Sequence, residues 1–358
     1  MKNRTGEQPR DFSSKDSSTT QKLDALHKDE ASSKQNSWSE VIPTAPPEDS
    51  QDDATLRAPN FRQFTPDTIR QTRPTFWSLV QHVVALILLG LMLLLAIIFY
   101  IQTPVGQELD ELSFNEFSYQ FIGLQSQTSQ VLDFIPVLAG IIAVVGMIFA
   151  LVWKHRFVPA LVGLCVALGA NMSTQVLKNY LITKPNFGLQ EASLNSAPSG
   201  HTTFAAAAAA ALFLASPKKL RPFVAMLGAI ISFSAGFSTI VNGWHRPADV
   251  ITAILLTSLW TVIGLIVLRF LRSEELYLSD TQRTGLILIP LLSISGFFLG
   301  FCSLALYLVT FYDPISGGAL IAATSMMLSV IAFTTSLHIG LLRARNKRRS
   351  AYTKIWTY

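Results

Sequence analysis

From residue 76 onward, long apolar runs alternate with short polar joints; before it, that pattern is absent. Eight runs are predicted as membrane-spanning helices, over 76–101, 134–153, 157–177, 200–216, 222–243, 249–268, 286–312 and 315–342. Several exceed the roughly 18 residues that mark a span. The first carries no charge. The fourth is short and holds seven consecutive alanines from Ala205. Small residues let helices approach closely in lipid, where packing replaces the hydrophobic drive. The expected fold is therefore all-α: a polytopic membrane helix bundle of about eight transmembrane helices.

Residues 1–73 read differently. They are rich in Ser, Asp, Glu, Lys, Gln and Thr and poor in aliphatics. Such a stretch buries too little apolar area to offset its ordering entropy, so a disordered tail is expected. No apolar run follows Met1, so a signal peptide is not expected.

Orientation follows from the cations in the short joints. The joint 102–133 has no lysine or arginine but carries Glu108, Asp110, Glu111 and Glu116. Lys154 and Arg156, then Lys218, Lys219 and Arg221, then Arg269, Arg272 and Arg283, then the basic end 343–358, fall on alternate joints. That alternation predicts a multi-pass protein of the cell membrane with both termini cytoplasmic. Overall, 50% of the 358 residues are hydrophobic, 14% are charged, and the net charge is +5. The excess cations sit mainly at helix ends, which fits membrane topology and argues against a nucleic-acid partner.

Three polar pieces then fall together on the outer side. Charges beside hydrocarbon are costly, so their default reading is functional. In the first, residues 236–250, His245 and Asp249 are four apart. A helix starting near Pro247 puts them on one face, where the carboxylate can fix the imidazole tautomer and stabilise its cation. In the second, Pro198-Ser199-Gly200-His201-Thr202, Ser199 is a natural N-cap and Gly200 lets backbone approach a ligand. Free N–H groups at such a helix start form an anion site. In the third, Lys178 and Lys184-Pro185 follow an earlier apolar run. These cations and Arg246 are the ones that the orientation rule leaves unexplained.

The three pieces resemble the signature motifs of the type 2 phosphatidic acid phosphatase (PAP2) family, membrane lipid phosphatases related to vanadium haloperoxidases. That pattern runs Lys-x6-Arg-Pro, then Pro-Ser-Gly-His, then Ser-Arg-x5-His-x3-Asp. The middle motif is complete at Pro198–His201. The last reads Ser238-Thr239-x5-His245-x3-Asp249, with threonine in place of arginine. The first has five residues between Lys178 and Lys184, which stands where the family has arginine. The resemblance covers about 76–271 and implies a six-helix catalytic core there, with two additional helices over 272–342. It implies that His245 is the nucleophile, Asp249 its orienting carboxylate and His201 the general acid and base. Lys178, Lys184, Ser199 and Gly200 are the expected phosphate contacts, with Arg246 standing in for the arginine missing at 239.

The implied activity is metal-independent hydrolysis of a lipid phosphate or polyprenyl diphosphate at the outer leaflet, through a phosphohistidine and without a cofactor. A phosphotransferase using the same site, and a catalytically silent lipid-binding scaffold, are the alternatives. A transporter fits less well, because the polar residues cluster at one interface instead of the midplane. The spacing of His201 and His245 matches no helical metal motif. Cys165 and Cys302 read as buried small side chains, His82, His155 and His338 as structural, Trp244 as an interfacial anchor, and Asn171 as an interhelical hydrogen bonder.

Overall fold

The computed structural model describes residues 76–152, 156–192, 194–272, 283–313 and 315–342. The expected tail 1–73, the basic end 343–358, Lys154 and His155 lie outside the described residues. The described chain is helical: α1 (Phe76–Gln102), α2 (Pro104–Gln120), α3 (Ile122–Val152), α4 (Phe157–Val176), α5 (Gly200–Ala215), α6 (Arg221–Val241), α7 (Pro247–Leu271), α8 (Arg283–Tyr312) and α9 (Gly318–Leu341). A π turn, Leu177–Leu181, extends α4.

Six helical segments are long and apolar enough to cross a membrane; α5 and the apolar part of α3, Val137–Val152, are shorter. The chain is a multi-pass membrane protein. At about 1.5 Å per residue, the 16 residues of α5 span roughly 24 Å, less than a hydrocarbon core of about 30 Å. That shortness is tolerated because α5 is enclosed by α3, α4, α6 and α7. Its alanines do what their size permits. A Cβ on Gly163 of α4 would meet the Ala211 carbonyl oxygen at 2.7 Å, so the two helices touch backbone to backbone.

The hub is α7, buried along most of its length against α1, α4, α5 and α9. The far end of α5 is closed by arginines. Arg221, fully buried, donates from Nε to the Ser216 carbonyl at 3.1 Å and from Nη2 to that of Leu214 at 3.1 Å, and Arg156 Nε donates to that of Ala215 at 3.0 Å. Cations there answer the unpaired carbonyls and the negative end of the helix dipole.

Three expectations change. The joint 102–133 is not a loop: α2 fills its first part and the start of α3 the rest, with α2 opened by Thr103, which caps Gly106 N at 3.1 Å, and by Pro104 at the first helical position. Cys165 is exposed on the outer face of α4, not buried. Asn171 bonds within its own helix, to the Ala167 carbonyl at 2.8 Å, so it is not an interhelical contact. The hairpin α8–α9 packs its second helix against α2, α6 and α7 and leaves much of α8 exposed, with Ile294, Phe297, Phe298 and Phe301 pointing outward.

Candidate active site

The site begins where α6 stops. Gly243 adopts φ +73°, a backbone region that favours glycine. Its N–H bonds the Ile240 carbonyl at 2.9 Å, and Trp244 N–H bonds the Thr239 carbonyl at 2.9 Å, a Schellman ending. That turn delivers His245 to the start of α7, where Pro247 occupies the first helical turn.

Asp249 gathers three donors on one carboxylate oxygen. His245 Nδ1 lies 2.9 Å from Oδ2, Ser196 Oγ donates to it at 2.7 Å, and Arg246 N–H at 3.1 Å. A carboxylate only accepts, so Nδ1 carries a proton, and the tautomer this selects for the neutral ring is the one with its lone pair on Nε2. Both residues are buried, which strengthens the pairing.

The start of α5 meets the same place. Ser199 N–H bonds the Asp249 carbonyl at 3.0 Å, tying one helix start to the other. Ser199 is the N-cap, with its hydroxyl accepting from Thr202 N at 3.3 Å and Thr202 Oγ1 at 3.0 Å. It is fully buried, so its contribution is to shape the helix start. Gly200 faces open space: a Cβ there would meet no atom within 4 Å. His201, one residue on, is exposed. Its ring centroid lies 5.2 Å from that of Trp244 and 6.4 Å from that of His245.

The cations are placed unequally. Arg246, only 7% exposed, donates from Nε to Glu111 Oε2 at 2.6 Å, and its guanidinium carbon lies 4.9 Å from the Phe114 ring centroid. Lys184 donates to the Ala192 carbonyl at 2.5 Å and is half-buried. Burial, and then the charge of Arg246, hold its ammonium below the ordinary lysine range. Lys178 is half-buried on the π turn, with its carbonyl held by Asn195 Nδ2 at 3.2 Å.

Sequence reasoning missed Asp110, Glu111 and Ser196. Asp110 accepts from Ala248 N–H at 2.9 Å, at the opening of α7. Burial, reinforced by the charge of Asp249, pushes its carboxyl up to about 8. The signal available for the acids was a joint with five carboxylates, Asp133 included, and no cation.

The family model for the PAP2 superfamily matches residues 160–273. No curated protein and no solved structure matches the chain. The matched segment runs from α4 through α7; α1–α3 and α8–α9 lie outside it.

Proposed function

We propose, from the premise that residues 160–273 make this chain a member of the PAP2 superfamily, that it is an integral-membrane phosphatase. Its substrate is a lipid phosphate monoester or a polyprenyl diphosphate at the outer leaflet. Membership points to phosphatase-type hydrolysis. The observation that carries it is the convergence of His245, Asp249 and His201 beside the start of α5.

In the first step the Nε2 lone pair of His245 attacks phosphorus. A P–N bond forms, the bond to the leaving oxygen breaks, and protonated His201 gives that oxygen its proton. The Asp249 carboxylate offsets the positive charge on the substituted ring. In the second step His201 takes a proton from water as the oxygen attacks phosphorus. The P–N bond breaks, its electrons return to Nε2, and inorganic phosphate leaves. The Gly200 N–H, Lys178, Lys184 and Arg246 offset charge on the phosphoryl oxygens, while Ser199 keeps the helix start in shape. Each such donor contributes about 2.7–4 kcal/mol to a transition state. These cations supply a positive field from the chain itself, so turnover without added metal is expected.

The orientation has its own support. Arg156, Arg221 and Arg269 each lie at the far end of a helix whose other end carries the site, as the cytoplasmic bias of short-loop cations requires. The test is phosphate release by purified protein in detergent with a chelator, from phosphatidate, phosphatidylglycerophosphate and a polyprenyl diphosphate. Release that disappears in His245→Ala is the expected result. Full activity in that variant overturns the nucleophile, and phosphate passed to an added acceptor in place of water identifies a transferase.

A further inference from the structure

We propose that α2 is a brace whose Glu111 aims the Arg246 guanidinium at the bound phosphate, and that α8–α9 anchors this brace. The inference rests on the phosphate site proposed above.

The need for it lies at position 239. Thr239 is buried and its hydroxyl donates to the Gly236 carbonyl at 2.8 Å, so this position offers the phosphate no cation. Arg246 is the nearest replacement in sequence, but an arginine on its long stem is useful only if held. Glu111 holds it through Nε, and the Phe114 ring limits its swing from a second direction. A carboxylate on Nε leaves the two terminal amino groups, which make no hydrogen bond among the described residues. That planar pair of donors is the edge that grips phosphate oxygens in a fork.

Glu111 is fixed because α2 is fixed. Gln107, Asp110, Glu111 and Phe114 follow a three-to-four-residue spacing and share a face. Gln107 Nε2 donates to the Pro185 carbonyl at 2.9 Å, next to Lys184, and Asp110 holds Ala248 N–H at 2.9 Å. The adjoining face holds the hairpin. Ser113 Oγ donates to the Ala319 carbonyl at 3.1 Å and lies 3.3 Å from the Tyr307 hydroxyl on α8. The Glu116 carboxylate accepts from Gly317 N–H at 3.0 Å and Leu320 N–H at 2.7 Å, at the start of α9. Two helices outside the matched family segment thereby reach the site through one short helix.

Two carboxylates beside a phosphate seat would repel the substrate if both stood bare. Neither does. Glu111 is neutralised by Arg246, and burial favours the uncharged form of Asp110 at neutral pH.

The test is a double-mutant cycle on the full-length protein in detergent, with two readouts: kcat/KM on phosphatidate, and binding of inorganic phosphate by calorimetry. Arg246→Ala is expected to lower both about 100-fold and Glu111→Ala about tenfold, with Glu111→Gln, which keeps an acceptor oxygen, within about threefold of wild type. In the Arg246→Ala background, Glu111→Ala is expected to add nothing. Glu116→Ala is expected to cost about threefold, again only when Arg246 is present. Additive losses, or an unaffected Glu111→Ala, overturn the brace; an unaffected Glu116→Ala overturns the hairpin's share. If Glu111→Ala does not fold, Glu111→Asp, which keeps the charge on a shorter stem, takes its place in the cycle: a loss of phosphate binding seen only while Arg246 is present upholds the brace, and an equal loss with and without Arg246 overturns it. Coupled phosphate binding without hydrolysis upholds the brace and overturns the phosphatase reading. Hydrolysis without coupling does the reverse, and neither binding nor hydrolysis overturns both.

Discussion

The rings of His201, on α5, and His245, in the turn before α7, approach to a centroid separation of 6.4 Å, inclined at 62°. His245 is fixed by Asp249, whereas His201 is exposed and rests near Trp244. In the proposed mechanism the His245 ring attacks phosphorus and the His201 ring exchanges protons with leaving group and water.

That difference predicts a split between substrates. An alkoxide leaving group needs a proton from His201, but nitrophenolate leaves without one. His201→Ala is expected to slow hydrolysis of an alkyl phosphate by roughly 10²–10⁴-fold. With nitrophenyl phosphate the same variant is expected to show a burst of nitrophenolate close to one per enzyme, then slow release, because water still lacks its base. Equal slowing of both substrates with no burst would remove His201 from the acid role.

Position 239 yields a second prediction. Restoring the family's arginine with Thr239→Arg is expected to lower activity and thermal stability. Thr239 is 2% exposed, and its carbonyl receives the N–H groups of Trp244 and His245 in the turn that places His245. A guanidinium there must be buried beside a helix end whose geometry the site depends on. The check is kcat/KM and Tm beside wild type; a gain in activity would show that the position still opens onto phosphate.

The parts of the site legible in the sequence are those whose chemistry is local. His245 and Asp249 share one helix start, and Ser199, Gly200 and His201 share another, so spacing alone places each group. The alanine run likewise announced close packing. What spacing does not show is contact across the chain. Glu111 meets Arg246 over a separation of 135 residues, and Ser196 meets Asp249 over 53. α2 escaped notice because its polar residues serve several partners, which blurs the apolar periodicity that marks a helix.

Asp110 supplies a pH signature. Its carboxyl, at 3.8 when unperturbed, is raised to about 8 by burial and by the nearby Asp249 charge. Between those values the native chain holds a proton that the unfolded chain has released, so this group's contribution makes stability fall as pH rises, levelling off above about 8. Asp110→Asn keeps an oxygen to accept from Ala248 N–H but cannot ionise. Its Tm advantage over wild type is therefore expected to grow from pH 5 to pH 8. A difference that stays constant across that range would mean that Asp110 does not carry the titration.

Topology provides the last prediction. Glu191 is exposed in the segment between the π turn and α5, on the site's side of the bundle. Cys165 and Cys302 lie within helices that fit membrane spans, where a charged, impermeant thiol reagent has little access. A thiol introduced as Glu191→Cys should therefore be the position labelled when intact cells are treated with such a reagent. Labelling only after the cells are opened would place the site on the cytoplasmic side and reverse the orientation drawn from the short-loop cations. Because Arg156, Arg221 and Arg269 all stand at the opposite ends of the helices that build the site, that outcome would require cation-rich joints to face outward together, against the bias that governs short loops.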